Sequence, residues 1–172
     1  MEFIDGRVIE DPNILRTLEE LRCKAFPKEK GNIKMEEQKK CKDRVREHYQ
    51  GRIEDLTKLW NLYKKDPDGY DDELGNWNEY GLGFDYVSPG TFSGQRRGYW
   101  RYQLSWGGPS DEFRFYADEN LKLTHIEYWF MDWFDGAKIN VTREEFDLLS
   151  EIWGDLKETG TVEHTRKEAM AA

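Results

Sequence analysis

Seventeen of the 25 aromatic residues fall between Trp77 and Phe134, in short runs divided by turn residues. No other feature limits the fold as strongly, because a chain this rich in rings is unlike a disordered one and must bury most of them. The runs are YGLGFDYV (80–87), RGYWRYQLSW (97–106), EFRFYAD (112–118) and KLTHIEYWFMDWF (122–134), all β-favouring. SPGTFSG, GGPSD and ADEN separate them with turn chemistry, and Asp135-Gly136 predicts a hairpin turn into AKINV. Alternation sets Trp100, Tyr102, Leu104 and Trp106 on one face, opposite Tyr99, Arg101, Gln103 and Ser105. It likewise sets Phe113 and Phe115 against Glu112, Arg114 and Tyr116. These patterns predict an antiparallel sheet of four to five strands over about 80–141.

The flanks read as helical. Asp11-Pro12 is an N-cap and first-turn pair, after which Ile14, Leu18, Leu21 and Ala25 recur at helical spacing until Pro27. A longer amphipathic helix is expected over about 34–65, with the seam Val45, Tyr49, Ile53, Leu56, Trp60 and Tyr63, interrupted by Gly51. At the other end Thr142 and Glu145 match a capping box, and Val141 with Phe146 a hydrophobic staple. Phe146, Leu149, Ile152, Trp153 and Leu156 form the stripe of a C-terminal helix stopped by Gly160, with 161–172 expected to fray. The fold class is therefore α+β: a sheet packed against N-terminal helices and one C-terminal helix. A length of 172 residues suits a single domain, with a helical part over about 11–65, an acidic connection at 66–79 and the sheet and last helix at 80–160.

Charge narrows the partners. The chain carries a net −9 and a pI near 5.0. Residues 1–65 hold a net +3 and residues 66–172 a net −12. An excess of acid argues against a general phosphate-backbone binder, so direct nucleic-acid binding is not expected. The basic stretch 28–46 also contains Glu29, Glu36, Glu37 and Asp43, as a solvated helix face would. No run approaches the roughly 18 apolar residues that span a bilayer, and the N-terminus lacks the pattern of a secretory signal, so a cytoplasmic location is expected. Cys23 and Cys41 cannot build a disulfide framework.

Motifs for catalysis are sparse. The two cysteines and His48 lack the closely spaced ligand pairs of a zinc site, and no cofactor is implied. Gly81-x-Gly83 has no third glycine, and G-x-S-x-G is absent. A Ser110–His125–Asp132 set could be drawn only in space, as with any chain holding three histidines and many acids. Asp132 and Asp135 flank Trp133-Phe134, and Asp111-Glu112 follows GGPS. Paired carboxylates can serve acid–base chemistry or bind a divalent cation. The simpler expectation makes Asp135 and Asp111 turn residues and pairs a buried Asp132 with Arg101 or Arg114. In IEYWFMDWF both alternating faces are apolar, so the second face is either covered by 66–96 or offered to a partner.

The run YWRYQLSWGGPSDEFRFY (99–116), followed by IEYWFMDWFDGA (126–137), resembles an uncharacterised protein family of bacterial plasmids and other mobile elements over about residues 80–160. That family has no assigned activity. Mobile-element proteins of this size include inhibitors of host defence, so the resemblance implies an anti-defence context by association. The resulting expectation is a non-enzymatic binding protein acting on a protein partner, one type being an anti-CRISPR or anti-restriction inhibitor. Its charge would come from Asp66, Asp68, Asp71, Asp72, Glu73 and Glu79, with Trp77 and Trp133 as anchors. The competing expectation is a small hydrolase or nuclease-like enzyme with its site at Arg101, Asp111, Arg114, His125 and Asp132.

Overall fold

The computed structural model describes residues 40–171 together with a short antiparallel hairpin, β1 (Phe3–Ile4) and β2 (Arg7–Val8). The chain divides into two compact units, residues 1–38 and 39–172. The predicted helix over Ile14–Ala25, with Asp11-Pro12 and Pro27, lies outside the described residues, as do Cys23 and most of the basic stretch.

The second unit is α+β. Helix α1 (Cys41–Tyr63) leads into a small hairpin, β3 (Tyr70–Asp71) and β4 (Gly75–Asn76), and a single helical turn, α2 (Trp77–Tyr80). Five strands follow: β5 (Gly83–Val87), β6 (Tyr99–Ser105), β7 (Ser110–Ala117), β8 (Leu123–Asp132) and β9 (Asp135–Asn140). They pair in sequence order as an antiparallel meander. Two helices close the chain, α3 (Arg143–Glu158) and α4 (Thr161–Ala171).

Side chains at alternate strand positions build the core on one face of the sheet. Trp100, Leu104, Phe113, Phe115, Ile126, Tyr128 and Phe130 are buried there against α1, α3 and α4. From α1 come Cys41, Val45, Tyr49, Leu56, Leu59 and Trp60; the anticipated Ile53 and Tyr63 are only partly buried. From α3, Leu149, Ile152 and Trp153 join this core, the Trp153 ring stacking on Phe115 at 5.7 Å and meeting Trp100 edge-on at 5.1 Å. Burying each such large side chain contributes roughly 1.5–3 kcal/mol. Gly51 does not break α1: its cost of about 1 kcal/mol is outweighed by the buried seam on either side, and a Cβ there would meet open space.

Several expectations need correction. Residues 161–171 are not a frayed tail but helix α4, so two helices follow the sheet rather than one. Val162 is fully buried and its carbonyl accepts a hydrogen bond from Trp100 Nε1 at 3.0 Å. Gly160, at φ +77°, makes the bend between α3 and α4. The β8–β9 turn is Trp133-Phe134, because Asp132 and Asp135 pair across it. Asp111 lies within β7 instead of ending a turn. Trp77 is buried against Trp60, ring centroids 4.9 Å apart, and cannot serve as an exposed anchor. Thr142 does occupy the N-cap of α3, but its side chain makes no capping bond.

Candidate functional site

Three of the carboxylates that suggested catalysis, Asp111, Asp132 and Asp135, sit on the helix-covered face or its rim and hold α1 in place, whereas Glu112 lies on the other face. Asp111, only 2 % exposed, accepts from Arg52 Nε at 2.7 Å and Nη2 at 3.1 Å, from Tyr128 OH at 2.8 Å and from Ser105 Oγ. Arg52 also donates to Tyr80 OH at 3.0 Å, which donates to Asp55 at 2.6 Å. Asp132 pairs with Arg44 of α1 at 2.5 Å, not with Arg101 or Arg114. Asp135 Oδ2 accepts from the Cys41 backbone N–H at 2.7 Å. A carboxylate at the first amide of a helix satisfies a donor that has no intrahelical partner and favours the helix dipole. That Cys41 amide bond is the largest influence holding the Asp135 carboxyl below its ordinary pKa.

On the opposite face of the sheet none of the described helices packs. That face floors a cleft of about 800 Å³ that runs from the β5–β6 loop, with Phe92, Arg96 and Arg97, to Trp106 and Trp133 at the far end. Arg114 lies across the floor, its guanidinium carbon 3.9 Å from the Trp129 ring centroid and 4.7 Å from that of Tyr99. Its Nε donates to Glu112 at 2.6 Å. Glu127 accepts from Lys138 Nζ at 2.5 Å, Trp129 Nε1 at 2.9 Å and Tyr116 OH at 3.2 Å. Burial alone would raise the Glu127 pKa, but those donors outweigh it and hold it below the usual carboxylate value. Arg101 forms a two-pronged pair with Asp85, both contacts at 2.9 Å. His125 stacks flat on Tyr116 at 4.1 Å, and burial, against the pull of Glu127, lowers its pKa.

The residues once grouped as an enzyme site are thus divided by the sheet. Arg101, Arg114 and His125 face the cleft, whereas Asp111 and Asp132 point toward α1. Among the described residues no three His, Cys, Asp or Glu side chains converge as metal ligands would. Residues 66–80 do not cover the open face; Trp77 and Tyr80 pack on the α1 side, and among the described residues the loop ending in Arg96-Arg97 borders the cleft.

One end of the sheet carries bare rings. The β6–β7 and β8–β9 turns lie together there, since a Cβ on Gly108 would come 3.6 Å from Trp133 Nε1. Trp106 is 78 %, Trp133 82 % and Phe134 fully exposed. Trp133 also holds φ +54°, a conformation that bulky side chains rarely adopt. Of the acidic connection, Asp71 pairs with Lys58 at 2.7 Å and accepts from the Glu73 and Leu74 amides, while Asp66, Asp68, Asp72, Glu73 and Glu79 are exposed.

No protein-family model, curated protein or solved structure matches the chain. No helix among the described residues is long and apolar enough to cross a membrane.

Proposed function

We propose that this chain is a non-catalytic binding protein that docks onto a protein partner through the aromatic tip of its sheet. The observation that carries this reading is Trp133. A two-residue hairpin turn favours Asn or Gly where φ is positive, yet this turn holds a tryptophan there and a fully exposed phenylalanine beside it. Backbone strain together with exposed rings marks a surface kept for contact, and tryptophan is a preferred anchor of protein interfaces. The saturated carboxylates support binding over catalysis, because acid–base work wants a group whose pKa is moved toward neutrality. Asp111 and Glu127 are moved the other way.

The resemblance to mobile-element proteins makes a nucleic-acid-targeting defence complex the class of partner proposed, and the exposed Asp68, Asp72 and Glu73 would meet its cationic channel. Capture from nuclease-treated host lysate tests this reading. One protein retained in near-stoichiometric amount at moderate salt is expected, and Trp133→Asn with Phe134→Ser should lose it. Retention of that partner by the double variant would remove the tip from the interface.

A further inference from the structure

The average charge of the second half conceals a local reversal. Arg96, Arg97, Arg101, Arg114 and Lys138 line the cleft, and among its described walls only Glu112 and Glu127 are acidic. Even with Asp85, which pairs with Arg101, five cations meet three carboxylates in a segment whose overall net charge is −12. Glu112 and Glu127 are already engaged by Arg114 and Lys138, so neither offsets the exposed Arg96 and Arg97. Beyond Nε, Arg114 has its terminal amino groups without a hydrogen bond among the described residues. The Tyr99 hydroxyl beneath it is buried and likewise lacks a partner there. Rings stand at both ends: Phe92, 52 % exposed, beside the two arginines and Trp106 and Trp133 at the other.

From this juxtaposition we infer that the cleft binds a nucleotide unit, its phosphate on Arg96, Arg97 and the free edge of Arg114, its base stacked on an exposed ring. Guanidinium groups match phosphate geometry, and exposed rings such as Phe92 beside a cationic groove can stack a base. A volume of about 800 Å³ falls in the range of small-ligand sites. The same chemistry could be presented by a free mononucleotide or by a stretch of single strand. The inference shares Trp133 with the protein-docking tip, so its test reads Arg96, Arg97 and Phe92, which belong to the cleft and not to the tip.

The experiment titrates the full chain with a short fluorescein-labelled oligothymidylate by anisotropy, and with AMP by quenching of tryptophan fluorescence. Saturable binding of the oligonucleotide alone assigns the cleft to single strands, and saturable binding of both assigns it to the nucleotide itself; either outcome supports the proposal. Affinity for the oligonucleotide should fall about tenfold between roughly 50 and 200 mM salt, as expected for two or three neutralised phosphates. Arg96→Glu with Arg97→Glu, both exposed and so compatible with folding, should weaken binding at least about tenfold with an unchanged circular-dichroism melt. Phe92→Ala should cost roughly fivefold if it stacks a base. Absence of saturation with the oligonucleotide and with AMP alike overturns the inference. So does binding that ignores the arginine reversal, or equal competition by polyglutamate, which would assign the cleft to an acidic protein surface. Loss of the inference in any of these ways leaves the captured-partner result untouched.

Discussion

Asp111 is where a single residue decides most. A carboxylate taken out of water costs several kcal/mol unless it is fully hydrogen-bonded, and here Arg52, Tyr128 and Ser105 supply that compensation. Burial, the largest influence on it, pushes its pKa up; the bonds from Arg52, Ser105 and Tyr128 outweigh that and hold it below the ordinary carboxylate value. Since the folded pKa lies below the unfolded one, the group's stabilisation is fully present above about pH 4 and is lost as pH falls through the folded value. Asp111→Asn should therefore destabilise the protein by about 3 kcal/mol at neutral pH, with the gap from the parent closing in strong acid. Urea unfolding across pH checks both parts, and a gap below about 1 kcal/mol, or one that does not narrow in acid, contradicts the assignment. The turn-like GGPSD had hidden this role. Extending the alternation of Phe113 and Phe115 back by two would have placed Asp111 on the covered face, but Arg52, 59 positions away, could not be found that way. The same distance problem misassigned the partner of Asp132, which is Arg44, 88 positions away, and not a neighbouring strand arginine.

At the scale of elements, the strands and the seam of α1 were legible because period two and period 3.6 are written directly in apolar spacing. What failed were the ends, where local turn chemistry competes with pairing. Asp135-Gly136 looks like a hairpin turn, yet the register joins Asp132 to Asp135 and forces Trp133 into the turn instead. Trp133→Asn should consequently raise stability by about 1 kcal/mol while abolishing partner capture, opposite signs that a merely structural tryptophan would not show. Thermal melting reads the first effect, and a fall in melting temperature would sink the strain argument. The polar C-terminal segment gave little sign of helix α4, since only Val162 of that helix is buried. Even so, α4 supplies the carbonyl for Trp100 Nε1 and places Arg166 6.0 Å from the Tyr86 and Trp100 ring centroids. Val162→Ala should cost about 2 kcal/mol, from the lost methyl groups and the cavity they leave. An effect within about 0.5 kcal/mol in urea unfolding would restore the frayed tail. Gly51→Ala, on the open side of α1, should stabilise by about 0.5–1 kcal/mol in the same assay, since only backbone entropy changes.

At the largest scale the second unit separates its chemistry by the two faces of one sheet. Apolar side chains and the helix-fastening carboxylates occupy one side; an excess of cations over carboxylates, with Tyr99, Tyr116 and Trp129 among them, occupies the other. Net charge could not disclose the second side, because its arginines and lysine come from separate segments, at 96–97, 101, 114 and 138, diluted by acids elsewhere. Every buried core residue of the second unit lies between Cys41 and Val162, and the cleft lies between Phe92 and Lys138. The described core and the described walls of the cleft thus both fall within residues 39–172. Expressed alone, that segment should unfold in one cooperative step at a urea midpoint close to that of the full chain, and should bind oligothymidylate within about twofold of it. The two readings fail separately. A broad or early transition would mean that residues 1–38 contribute to the core. A normal transition with lost binding would mean instead that the electrostatic field over the cleft draws on cations in 1–38.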